Sequence, residues 1–151
     1  MTVPSTTLHS TDSPLASLRG NHVAVRVADF AEALRFYTDK LDFRVVQEWR
    51  SGPMTLAYLA PANDDGFVIE ILGGGSPTSS PAQGDLAASM QHAGYHHLCF
   101  VVDDVDATVV ELRRRGVAIV REPVDLEVIH RRLAFIADPW GNLIEFAQAM
   151  R

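Results

Sequence analysis

The chain has 151 residues, enough for one compact domain with a real core and too few for two independent ones. Hydrophobic residues make up 47% and charged residues 21%, which excludes wholesale disorder. With a formal net charge of −6, no long basic run and no membrane-length apolar stretch, neither a nucleic-acid nor a membrane partner is expected. The single cysteine, Cys99, cannot form an internal disulfide, in keeping with a reducing, cytoplasmic setting.

Residues 1–20 are rich in Ser, Thr and Pro without an apolar signal core and read as a flexible tail. Residues 22–27 alternate, with Val23, Val25 and Val27 on one face and His22, Ala24 and Arg26 on the other. That is the pattern of a strand with one face against helices, so the face carrying His22 and Arg26 must look into something polar. Asp29 followed by Glu32 resembles a capping box with Asp in the Ser/Thr place. Phe30, Leu34, Tyr37 and Leu41 follow at helical spacing and predict a helix of about three turns. Residues 43–49 form a second strand. Ser51-Gly52-Pro53 turns the chain into a third over 55–60, and Asp64-Asp65-Gly66 leads into a fourth over 67–72. This first unit, 21–73, reads βαβββ. The Gly/Ser/Pro-rich start of residues 74–94 marks a linker, in which Asp85 caps a short helix.

The second unit, 95–148, repeats the first. A shift of 75 positions carries His22 onto His97, Asp29 onto Asp104 and Glu70 onto Glu145 (97 − 22 = 145 − 70 = 75). Asp104 caps a helix whose Val105, Val109 and Leu112 match Phe30, Leu34 and Tyr37, and Gly116 ends it. Arg113-Arg114-Arg115 complement that helix's dipole rather than forming a nucleic-acid patch. Strands follow over 117–121, 127–137 and 143–147, with 138–142 as the last turn. The third strands match at an offset of 77, Leu56 falling on Leu133, and a shorter turn then restores 75. Agreement at separate points along the chain marks an internal duplication.

Glu70 sits in a strand that is otherwise apolar on both faces, and Glu145 poses the same problem. A carboxylate desolvated without a partner costs several kcal/mol. One such glutamate is usually an edge residue in water, and one strand histidine is usually a satisfied core residue. The duplication of both argues for a shared site. If a pseudo-twofold axis relates the units, His22, Glu70, His97 and Glu145 can converge on it. Two imidazoles and two carboxylates suit a divalent first-row metal ion, with water completing the coordination. Strand parity groups His97 with Cys99 and Val101 on the cavity face, and His96 with Leu98 and Phe100 on the helix face. His97 is therefore the expected ligand and His96 a structural residue. Trp49 and Trp140 are candidates to stack on a flat ligand, although packing is the commoner role.

On these residues the chain resembles the vicinal oxygen chelate superfamily. That group includes glyoxalase I, methylmalonyl-CoA epimerase, extradiol dioxygenases and the fosfomycin and bleomycin resistance proteins. The carriers are the His22 to Val27 strand with Phe36-Tyr37, Glu70 within Val-Ile-Glu-Ile, His97-Leu-Cys-Phe, and Asp138-Pro-Trp-Gly-Asn-Leu-Ile-Glu145. The resemblance covers 20–148. It implies an α+β fold, two tandem βαβββ modules forming a curled mixed sheet around a metal-binding cavity, in a domain spanning 21–148. It implies His22, Glu70, His97 and Glu145 as ligands of one divalent ion (Ni, Zn, Co, Mn or Fe), a small-molecule substrate, and a homodimer. Modules in this group pair either within one chain or between chains.

The activity implied first is a lyase or isomerase of the glyoxalase I or epimerase type. There the metal holds two adjacent substrate oxygens and stabilises an enediolate, while Glu70 and Glu145 move the proton. Arg26, Cys99 and Trp49 are the expected substrate contacts. Arg26 matches an arginine that glyoxalase I enzymes use for the glutathione glycyl end, and Cys99 is by default a small packing residue. Asp42 stands where those enzymes have glycine in Leu-Gly-Met. One alternative is an extradiol-type dioxygenase with a His22, His97 and Glu145 triad and His130, in the third strand of the second unit, as acid/base. Glu70 counts against it by filling a position that oxygen needs. The other is a metal-free, ligand-sequestering resistance protein, against which the complete ligand set counts.

Overall fold

The computed structural model describes residues 12–78 and 86–150; residues 1–11 of the tail and Asp85 lie outside them. The first module opens with β1 (His22–Arg26), in which Val23 and Val25 are half-buried and His22, Ala24 and Arg26 exposed, as the alternation predicts. Asp29 caps α1 (Phe30–Arg35), its carboxylate accepting from Glu32 N at 2.9 Å. The predicted three-turn helix is in fact these six residues followed by a π-helical turn, Phe36–Lys40. Apolar spacing alone does not separate a π turn from an α turn, since both put Tyr37 on the inward side.

The module continues with β2 (Arg44–Ser51), β3 (Met54–Ala60) and β4 (Val68–Gly73). The strands lie in the order β1-β4-β3-β2, with β1 parallel to β4 and the other pairs antiparallel. A Cβ at Gly73 would fall 2.5 Å from Phe30 Cβ, so only glycine lets α1 lie this close to β4.

After α2 (Leu86–Ser89) the second module repeats the plan with β5 (His97–Val101) and α3 (Val105–Arg114). Asp104 caps α3 as Asp29 caps α1, accepting from Ala107 N at 2.9 Å. Strands β6 (Ile119–Leu126), β7 (Arg131–Ala137) and β8 (Leu143–Ala149) complete a sheet ordered β5-β8-β7-β6. Two boundaries differ from the sequence expectation. β6 runs on to Leu126, past Glu122-Pro123, because irregular register between Ile119 and Val124 leaves Pro123 without a ladder bond to make. Residues 127–130 are not strand. Glu127–Ile129 form a 3₁₀ turn and His130 closes it in the left-handed region, φ 51°.

The two modules share one core, built from their helix-side faces. Val27, Tyr37, Leu59, Ile69 and Ile71 from the first pack in the same cluster as Leu112, Val117, Ile136, Ile144 and Phe146 from the second. Each such side chain contributes about 1.5–3 kcal/mol on burial. Tyr37, fully buried, donates its hydroxyl to Asp138 Oδ2 at 3.3 Å. Lys40 Nζ donates to Arg115 O while Arg115 Nη1 donates to Lys40 O. The pair thus ties together the C-terminal ends of the two modules' helices. Asp42, left-handed at φ 55° where the resembled enzymes carry glycine, adds an ion pair to Arg115 at 2.7 Å. No helix among the described residues is long and apolar enough to cross a membrane.

Candidate functional site

The opposite face of each sheet carries the expected ligands. Parallel pairing sets Ala24 beside Glu70 and Cys99 beside Glu145, so each glutamate shares a face with the histidine two residues earlier on the neighbouring strand. His22 Nε2 lies 3.4 Å from Glu70 Oε2, and His97 Nε2 lies 2.8 Å from Glu145 Oε2. The glutamate side chains are largely buried, at 15% and 12% exposure, while the histidine side chains are about one-third exposed at 36% and 33%. Donors about 2.1 Å from one ion stand roughly 3.0 Å apart when adjacent in an octahedron and roughly 3.4 Å apart in a tetrahedron. Both pairs thus have the separation of two neighbouring ligands of a single cation, and their N,O chemistry suits one.

The pairs do not merge within one chain. Among the described residues, no three His, Cys, Asp or Glu side chains lie together as a metal-holding group. The cause is the shared core: the helix-side faces turn inward, and the ligand faces are left outside. A groove of about 770 Å³ between the modules is lined by both His22 and His97 with Tyr37, Leu98 and Trp140, but not by Glu70 or Glu145. On the ligand face Val101 is 83% exposed, an apolar side chain with nothing covering it in the single chain.

The remaining candidates fall in different places. Arg26 is on the ligand face, but its guanidinium donates to the backbone carbonyls of Val27, Leu72 and Gly74, so it braces the end of the β1–β4 pair. An anionic substrate group has to compete with those carbonyls. The Cys99 thiol is pushed up to about 11, first by desolvation and then by the Glu145 carboxylate beside it. It is therefore a neutral thiol at pH 7 in the metal-free protein. Trp49 packs against Tyr58 in a tilted contact with ring centroids 4.7 Å apart, and Tyr58 in turn lies 5.5 Å from the His22 ring. His130 precedes β7, five residues before Phe135, which pairs with Glu145. That is roughly 16 Å along the strand, so His130 is not beside the Glu145 pair of its own chain.

Tyr58 and Phe135 were missed from sequence. Each stands opposite its module's glutamate (Tyr58 by Glu70, Phe135 by Glu145) and packs on its histidine, Phe135 at 5.3 Å from His97. The 77-residue offset relates them, a signal the sequence held but which becomes informative only once the register places them beside the acids.

Comparison with known proteins bears on the family and the fold. The family model described as the glyoxalase/bleomycin resistance protein/dioxygenase superfamily matches residues 19–146. The human mitochondrial methylmalonyl-CoA epimerase is 26% identical over 159 aligned positions, covering 97% of this chain and 88% of the relative. A "Probable lactoylglutathione lyase" of Synechocystis sp. is 29% identical over 130 positions, covering 84% and 92%. Among solved structures, the trypanothione-dependent glyoxalase I of Leishmania major superposes with a TM-score of 0.63 at 28% identity, covering 87% of each chain.

Proposed function

The chain belongs to the glyoxalase/bleomycin resistance protein/dioxygenase superfamily, and on that premise we propose that it is a divalent-metal-dependent lyase or isomerase of the glyoxalase I or epimerase type. One observation carries this: two duplication-related His–Glu pairs, each at the separation of adjacent metal ligands. Because one chain keeps the pairs apart, we assign the complete site to a homodimer. His22 and Glu70 of one copy would meet His97 and Glu145 of the other, and the contact would also cover Val101. When bound, the ion supplies a Lewis acid for two adjacent substrate oxygens.

The chain's own residues do the rest. Glu70 and Glu145 hold carboxylates in largely buried, strand-fixed positions on the two sides of the site, where each can take a proton from one substrate carbon or return it to the next. The aromatic run from His22 through Tyr58 to Trp49 walls one side. Two groups count against ring cleavage with oxygen. Glu70 adds a fourth protein donor, and His130 lies at the far end of β7 from Glu145.

The test is metal analysis of the purified protein, followed by assays before and after chelation. Substrates are the hemithioacetal of methylglyoxal and glutathione, methylmalonyl-CoA, and catechols under oxygen. Proton-transfer turnover that is lost on chelation, restored by a divalent ion and abolished in Glu70→Gln supports the assignment. Iron-dependent oxygen consumption with a catechol, or turnover indifferent to chelation, overturns it.

A further inference from the structure

Each expected ligand histidine has its other ring nitrogen engaged by the residue immediately before it. Asn21 Oδ1 lies 2.8 Å from His22 Nδ1, and His96 Nδ1 lies 2.8 Å from His97 Nδ1. Asn21 and His96 occupy the same place in the duplication (96 − 21 = 75). An amide oxygen only accepts, so the hydrogen is on His22 Nδ1, and in the neutral ring Nε2, which faces Glu70, is bare.

The His96–His97 contact has two possible directions, and Ser89 selects one. Ser89, only 1% exposed, donates its single hydroxyl hydrogen to Leu86 O at 2.7 Å. Its oxygen then accepts from His96 Nε2, also at 2.7 Å. A neutral His96 with its hydrogen on Nε2 has a bare Nδ1, which accepts from His97 Nδ1–H. His97 Nε2 is left bare, 2.8 Å from Glu145 Oε2. Two acceptors that close need a proton or a cation between them. Two unlike residues thus deliver one result in both modules.

We propose that Asn21 and His96, with Ser89 behind His96, are positioning residues that fix His22 and His97 in the Nδ1–H tautomer, the form that ligates a divalent cation through Nε2. This rests on the metal-site assignment above and assigns His96 a task beyond packing. Partners of this kind set ring orientation and ligand basicity, and their removal costs roughly 10–100-fold in metal affinity.

The experiment titrates the full-length, metal-free protein with Co²⁺ by calorimetry and records ¹⁵N-histidine spectra of the Zn²⁺-loaded form. His96→Ala weakens Co²⁺ binding roughly 10–100-fold. His96→Asn, which supplies an amide oxygen of the Asn21 kind, restores affinity to near wild type. In the loaded wild-type protein the spectra place hydrogen on Nδ1 of His97 and on Nε2 of His96. Wild-type affinity in His96→Ala, or hydrogen on Nδ1 of His96 in the loaded protein, overturns the proposal whether or not a variant folds well. His97→Ala separates the two levels: wild-type affinity there removes the metal site itself, whereas loss there with no loss in His96→Ala removes only the positioning role.

Discussion

Replacing Tyr37 with Phe takes one oxygen out of the joint between the modules and leaves the ring in place. Tyr37 is fully buried and donates to Asp138 Oδ2 at 3.3 Å. Asp138, 5% exposed, also accepts from Trp140 N at 3.0 Å, Asn142 N at 2.8 Å and Asn142 Nδ2 at 2.7 Å. A hydrogen bond to a charged group contributes about 1.5–3 kcal/mol. The Tyr37 bond is the longest of the four, and the carboxylate keeps three donors, so the loss sits at the low end, about 1.5 kcal/mol. No cavity opens, so no further cost adds. With a urea m value of about 1–3 kcal/mol/M, the unfolding midpoint falls by about 0.5–1.5 M at fixed protein concentration, with m unchanged. A midpoint identical to wild type would mean that the hydroxyl does not bind Asp138.

Burial, outweighing its hydrogen bonds, raises the Asp138 pKa above the ordinary aspartate value. In that range the folded chain holds more protons than the unfolded one, so this group's contribution is greatest in acid and declines as pH rises through its folded pKa. Urea titrations across that range should show the decline in wild type and not in Asp138→Asn; identical slopes would refute it. Gly73→Ala sets a methyl 2.5 Å from Phe30 Cβ. Overpacking of this kind costs about 1–3 kcal/mol, a Tm drop of about 2–12 °C, and an unchanged Tm would show that α1 does not lie so close. Cys99, with its pKa near 11, has a thiolate fraction of about one in a thousand at pH 8, against about a quarter for free cysteine. Iodoacetamide should therefore modify the metal-free protein roughly a hundredfold more slowly than free cysteine, and equal rates would contradict the assigned environment.

The parts of this molecule legible in its sequence are those governed by period and repetition. Alternation places His22 and His97 on the faces they occupy, and the shift of 75 relates Glu70 to Glu145. Both helix caps follow from Asp29 and Asp104. What was not legible depends on contacts between distant segments. A strand's own pattern says which face is apolar but not whose face it meets, so convergence within one chain was as open as convergence between two. Tyr58 joins the candidate site only through its register with Glu70. Arg26 looked available for substrate because nothing in residues 22–27 reveals that the carbonyls of Leu72 and Gly74 claim it. The residue pattern carries the strand through His130 because the left-handed turn that stops there has no glycine to announce it.

The claim on which the account turns is that two copies each supply half of a metal site. His22→Ala and His97→Ala each remove one exposed donor, and chains of both kinds can be combined by co-expression. Random assortment makes half of the dimers mixed, and in each mixed dimer one of two sites regains all four donors. Co²⁺ binding should therefore recover to about one quarter of the wild-type number of tight sites, although neither variant alone binds tightly. Mixed dimers that form but recover no tight site would contradict the account.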